Sequence, residues 1–182
     1  LLLGLTLFAF GAPAAAQDLA GKVATILTQA DAAPIERAFE FGLQLLDTTD
    51  EERTDPLRDA IVQAAKSIGD HGRIAAAVGL QNLKSDSTYG KDILDVLQPV
   101  AKTDKHAARA AAMALLGEER FFNTRILPDV RKLLEDNCKD ELVPAAVRTE
   151  AAVGLWNVGT SAQRATAKTA LEQFLRSTDR DL

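Results

Sequence analysis

Residues 73–83 read RIAAAVGLQNL and residues 148–158 read RTEAAVGLWNV, so one chain carries the run AAVGLxN twice, 75 positions apart. The core of that run, A-A-x-x-L, occurs a third time at residues 111–115. The three copies start 35 and 40 residues apart. Internal repeats with periods of roughly 20–50 residues are typical of stacked supersecondary units. The repetition therefore predicts a modular architecture.

Each copy lies on a stretch with the periodicity of a helix. In the last copy Val147, Ala151 and Leu155 recur every four residues and share one helix face. Pro144 suits the start of this helix and Gly159 its end. No stretch shows the alternation and turn signals of a hairpin. Similar patterns elsewhere predict nine helices, arranged as four antiparallel pairs and a last single helix.

The segment 127–159 resembles a HEAT repeat. It has Pro128 near the start of a first helix, a Leu-Leu pair near the end, an acidic turn, then Val147-Arg148 and an alanine pair. The resemblance extends over residues 55–176 and is weak over residues 18–47. It implies an all-α fold, a right-handed α-solenoid of about four and a half antiparallel helix pairs. The alternative class is the TPR array, whose period of about 34 is stricter and whose pattern needs a large aromatic residue.

An arginine lies near the start of each repeated helix, at Arg73, Arg109 and Arg148. The resemblance implies that these arginines form charge-assisted hydrogen bonds with turn aspartates between adjacent repeats. It also implies a concave surface lined by the second helix of each pair. The candidate partner-binding residues are accordingly Arg73, Gln81, Arg109, Arg148, Glu150 and Trp156. We expect Trp156 to be buried between repeats; exposed on the inner face, it would be the best anchor, because Trp leads among binding hot spots.

The first residues, LLLGLTLFAFGAPAAA, have the apolar run and small-residue site of a secretory signal peptide. We assign residues 1–16 to that leader, truncated at its N-terminus because it lacks Met and a basic region, and residues 17–182 to one domain. The alternative is a buried first helix. The apolar run is short for a membrane span, and no cysteine stands at the cleavage point. The sequence thus predicts an exported protein, periplasmic or secreted, that is not a lipoprotein.

The charge of the chain restricts its partners. A net charge of −5 argues against binding nucleic acid and against docking on anionic membranes. The lone cysteine, Cys138, has no partner for an intramolecular disulfide, so we expect it to be partly buried.

Catalytic and metal-binding motifs are weak. His71 and His106 lack ligands at metal-binding spacing, so we expect solvated or capping histidines. Five carboxylates cluster in residues 47–56 without the central glycine of an EF-hand, which favours a solvated loop over a Ca²⁺ site. We predict no cofactor and no enzymatic activity. The predicted function is an exported protein–protein interaction module or scaffold; the alternative is an accessory domain or subunit of a larger exported enzyme, or a HEAT-like lyase. The oligomeric state stays open.

Overall fold

The computed structural model describes residues 14–48 and 54–178 of the chain. These ranges contain nine α-helices and no strand, so the predicted all-α class and the nine predicted helices are confirmed. The helices are α1 (Ala14–Ala32), α2 (Ile35–Gln44), α3 (Thr54–Ala65), α4 (Asp70–Leu83), α5 (Gly90–Val100), α6 (His106–Leu116), α7 (Leu127–Lys139), α8 (Ala145–Val158) and α9 (Ser161–Thr178).

The predicted leader falls mostly outside the described residues. Residues 1–13 lie outside them, whereas Ala14 begins α1. The proposed cleavage point between Ala16 and Gln17 therefore lies in the first turn of that helix. Cleavage at this point stays a prediction.

The nine helices pack in two series. Among the even-numbered helices, α2 contacts α4, α4 contacts α6, and α6 contacts α8. Among the odd-numbered helices, α1 contacts α3, α3 contacts α5, and α7 contacts α9. Most consecutive helices contact each other as well, most extensively α7 with α8 and α8 with α9, and α1 also packs on α4. Most helices therefore pack against a chain neighbour and against a helix two places along.

The repeated glycine of the AAVGL run explains why the motif recurs at 75 residues. Helices α4 and α8 have 14 residues each, and Gly79 and Gly154 lie where the preceding even-numbered helix crosses them. A Cβ added at Gly117 of the α6 cap would be 2.6 Å from the Cα of Gly154. A Cβ added at Gly42 of α2 would be 2.7 Å from the backbone carbonyl oxygen of Ala75. Only glycine permits such close contact between backbones.

The alanines and leucine of the motif form the core. The pairs Ala76-Ala77 and Ala151-Ala152 are fully buried, and so are Leu80 and Leu155. The small side chains let neighbouring helices approach, and the leucines fill the remaining space. The core continues under the connection between α6 and α7, where Phe121 and Phe122 are buried.

Polar contacts between distant residues reinforce this packing. The Asp31 carboxylate, in the last turn of α1, accepts a hydrogen bond from the Gly72 N–H in the first turn of α4. Gly69, the residue at the N-cap position of α4, has no side chain that could accept such a hydrogen bond, so Asp31 caps the helix instead. Across the last helix pair, the Arg131 guanidinium donates to the Val158 carbonyl at the end of α8. Both contacts satisfy helix-terminal groups that would otherwise lack partners.

Candidate interaction surface on α8

The three repeated arginines do not form the expected ladder with aspartate. Arg73 donates from Nε to the Ile68 carbonyl at 3.1 Å, in the turn after α3. The Arg148 guanidinium lies 5.0 Å from the centre of the Phe174 ring in α9. No Asp or Glu in the described part of the chain lies within ion-pair distance of Arg73 or Arg148. The expectation of an Asp–Arg ladder is wrong for these residues, because carbonyls and an aromatic face take the place of the carboxylates.

Arg109 differs from the other two in register. It stands two residues before its alanine pair, whereas Arg73 and Arg148 stand three residues before theirs. The residue at the matching position is Ala108, which is fully buried. Arg109 donates from Nε to the Oδ1 atom of Asn137 in α7 at 2.7 Å. Arg109 therefore joins two successive helix pairs, as predicted, but its hydrogen-bond acceptor is an amide oxygen and not a carboxylate. All three arginines are thus engaged in contacts within the chain.

Gln81 and Glu150 differ in solvent exposure. Gln81 is buried, 7% exposed, and its amide donates to the Leu115 carbonyl of α6 at 3.3 Å. Gln81 therefore holds α4 to α6 and does not present its side chain at a surface. Glu150, on α8, is partly exposed.

Trp156 is exposed, so the expectation that it is buried between repeats is wrong. Its exposed fraction is 48%, and that of Val153, one turn earlier on α8, is 42%. The matching residues of α4, 75 positions earlier, are Val78 and Gln81, which are 5% and 7% exposed. Gln81 is covered because α6 packs against it, whereas no described helix packs in that way on Trp156.

One side of α8 carries a single charged side chain. We call it the α8 face: Ala146, Thr149, Glu150, Val153 and Trp156, of which the first, fourth and fifth are exposed and the other two partly exposed. These residues recur at three- and four-residue spacing and share one side of the helix. The exposed Asn157 borders the α8 face, and its amide donates to the Gly117 carbonyl. The side chains available on the α8 face can bury apolar area and accept a hydrogen bond, which suits binding rather than catalysis.

Small residues on α6 extend this surface. Ala107 and Ala114 are exposed and Ala110 is partly exposed, again at helical spacing. Because α6 and α8 touch at Gly117 and Gly154, the two exposed stripes lie close together. The sequence did not single out Val153 or these alanines, because valine and alanine on a helix are also the residue types that form a buried core.

The residues considered for metal binding or catalysis form no comparable site in the described part of the chain. His71 donates from Nδ1 to the Ala33 carbonyl at 2.7 Å, and His106 is exposed. The acidic loop lies partly outside the described residues, since residues 49–53 are not among them. Within the described ranges, no group of three or more His, Cys, Asp or Glu could hold a metal ion. Burial raises the pKa of the Cys138 thiol, which keeps it protonated and poorly nucleophilic.

A polar groove of about 310 Å³ lies between α5 and α7. Its lining includes Leu94 and Leu133 together with lysines and aspartates. Lys132 pairs with Asp136 at 2.8 Å, and Lys91 pairs with Asp95, each within one helix. In all, three lysines and three aspartates line the groove, so it presents no excess of either sign to a ligand.

The comparisons with known proteins add no relative. No family model matches the chain, and neither a curated protein nor a solved structure shows significant similarity to it. Across residues 14–48 and 54–178, none of the helices combines the length and the apolar character that crossing a bilayer requires.

Proposed function

We propose that this protein is a non-catalytic protein–protein interaction module that binds its partner through the α8 face. The observation that carries the proposal is the exposure of Trp156 and Val153 at positions whose counterparts in α4 are buried. A large aromatic side chain beside aliphatic ones, with few charges near it, is the composition of a binding hot spot.

The architecture that we propose for this module is a right-handed α-solenoid of the HEAT type. Its support is the contact pattern, in which even-numbered helices contact even-numbered ones and most odd-numbered helices contact odd-numbered ones. Further support comes from hydrogen bonds between successive pairs, such as Gln81 with Leu115 and Arg109 with Asn137. Stacked pairs of this kind present an extended surface on one side.

The partner surface that we propose is narrower than the set of residues predicted from the sequence. Arg73, Arg109 and Gln81 make contacts that hold the helices together. Of the predicted residues, Glu150 and Trp156 lie on the α8 face. Export of the protein, which the apolar leader favours, would place this surface outside the cytoplasm.

A cross-linking capture experiment tests the proposal. The tagged protein, a Trp156→Ala variant and a Leu142→Ala variant would each be cross-linked in an envelope extract of the source cell. Leu142 is the matched control because it is 95% exposed and lies in the connection before α8, outside the residues of the α8 face. We expect bound protein with the wild type and with Leu142→Ala, and its loss with Trp156→Ala.

The expected size of the effect follows from hot-spot energetics. Truncating a central Trp typically costs at least about 2 kcal/mol of binding free energy, roughly a 30-fold loss of affinity. Capture that is equal for all three proteins would contradict the proposal, because the α8 face would then not be the contact surface.

A further inference from the structure

We infer that a groove between α3, α4 and α5 binds a small monocarboxylic acid with an apolar body, whose carboxylate is held by Arg73 and Lys66. The inference goes beyond the proposed function, because it concerns a small molecule and uses no residue of the α8 face. We call this site the α3–α5 groove, and the lining residues that bear on binding are Val62, Ala65, Lys66, Arg73, Val96 and Pro99.

The α3–α5 groove has the size and the apolar lining of a small-molecule site. Its volume is about 330 Å³, at the lower end of the range that such sites occupy. Ala65 and Val96 are buried, whereas Val62 is partly exposed and Pro99 is exposed. A ligand in the groove would therefore remove apolar surface of the last two residues from water, which favours binding.

Arg73 contributes a guanidinium that the chain positions without neutralising its charge. It donates from Nε to the Ile68 carbonyl at 3.1 Å and from a terminal nitrogen to the Lys66 carbonyl at 3.5 Å. Within the described ranges, no carboxylate lies at ion-pair distance from Arg73. The remaining N–H groups of the guanidinium can therefore donate to a ligand, and little side-chain freedom is lost when they do.

Lys66 adds a second positive charge to the same lining. Its ammonium donates to the side-chain oxygen of Gln63 at 2.9 Å, and it too has no carboxylate at ion-pair distance in the part of the chain that the structure describes. The lining also includes Asp95, whose carboxylate pairs with Lys91 of the same helix. The groove thus has an excess of positive charge, although the net charge of the chain is −5.

These features together favour one class of ligand. A carboxylate accepts parallel hydrogen bonds from the planar fork of a guanidinium. An inorganic anion would leave the apolar part of the lining in water, and a neutral apolar molecule would leave the two cations without a counter-charge. A second negative charge on the ligand would be repelled by Asp95, so we expect a monocarboxylate.

An NMR titration of the whole protein tests the inference, with hexanoate as the probe and hexanamide as its neutral counterpart. We expect hexanoate to shift backbone amide signals around the α3–α5 groove, with a dissociation constant on the order of 1 mM. Hexanamide should bind at least about 10-fold more weakly, because it lacks the charge that the two cations complement. Acetate should also bind at least about 10-fold more weakly, because it lacks the apolar body.

Two variants assign the binding to the groove. We expect Arg73→Gln to raise the dissociation constant for hexanoate by about 10-fold or more, since it removes the guanidinium fork. Lys66→Gln should raise it by about 3-fold, because Lys66 is exposed and its charge is screened by water. Lys168→Gln, at an exposed position on α9, is the matched control and should leave the constant unchanged. Circular dichroism melting checks that each variant is folded.

Several outcomes would overturn the inference. They are shifts spread over the whole surface, equal binding of hexanoate and hexanamide, and a folded Arg73→Gln variant that binds hexanoate as the wild type does. Should Arg73→Gln fail to fold, an unchanged dissociation constant in Lys66→Gln would overturn the inference instead. None of these results depends on Trp156, so the proposed function stands or fails separately in the capture experiment.

Discussion

Replacing Gly117 with alanine should destabilise the protein, although alanine usually stabilises a helical segment relative to glycine. Gly117 caps α6 with φ −76° and ψ −1°, which alanine adopts without strain. On backbone grounds alone, the substitution should add about 0.4–1 kcal/mol by reducing the entropy of the unfolded chain. The added Cβ, however, would lie 2.6 Å from the Cα of Gly154.

The steric cost exceeds the entropic gain. Carbon atoms in contact lie about 3.5–4.0 Å apart, so α6 and α8 must separate by about 1 Å. Overpacking of this kind costs about 1–3 kcal/mol, because the atom that must move belongs to the backbone. The net expectation is a loss of about 0.5–2 kcal/mol, or a few degrees in Tm for a domain of this size.

Thermal unfolding followed by circular dichroism measures this loss. The matched control is Gly21→Ala in α1, where an added Cβ meets no described atom within 4 Å. We expect the control to raise the Tm and Gly117→Ala to lower it. If Gly117→Ala melts at or above the wild type, then α6 and α8 do not cross at the two glycines, and the explanation of the 75-residue repeat is wrong.

Three further predictions concern the core, a surface contact and the thiol. Leu155→Ala should cost about 2–5 kcal/mol of unfolding free energy in urea, since Leu155 is fully buried; a cost below about 1 kcal/mol would place this side chain outside the core. The hydrogen bond from Gln163, followed by that from Lys139, lowers the pKa of Glu135 from its usual value near 4.5. The ionised form therefore stabilises the fold above that value, and the contribution is lost as the pH falls through the folded-state pKa. The stability advantage of the wild type over Glu135→Gln, under about 1 kcal/mol, should be present at pH 7 and disappear in acid, and a difference that does not vary with pH would refute this role. Cys138 should react with a thiol reagent slowly in the native protein at pH 8 and rapidly in urea, because burial raises the pKa of its thiol; equal rates would show that it is accessible.

The helices could be predicted from the sequence because their signals are local. Proline and glycine at helix ends, and apolar residues at three- and four-residue spacing, act within one or two turns of the chain. Gly159 follows the end of α8 and Pro144 precedes its start, as expected. The same local pattern placed Leu155 on the apolar face of this helix, and Leu155 is fully buried.

The candidate site could not be predicted in this way, because exposure depends on which helix packs against which. Val78 and Val153 stand at the same place in the same motif, yet one is buried and the other is exposed. Likewise, Gln81 is polar and buried, whereas Trp156 at the matching position is aromatic and exposed. From residue type alone, Val153 and Trp156 would be expected to be buried and Gln81 to be exposed.

The sequence by itself determined the all-helical class of the described residues, the number of their helices, and the recurrence of a motif with small residues after 75 positions. Only the tertiary structure decided that the glycines of that motif lie where helices cross closely and that the arginines contact other residues of the chain. It also decided that Val153 and Trp156 of α8 are exposed. The reason is physical: helix formation depends on residues within a few positions of each other, whereas burial depends on contacts between residues far apart in sequence.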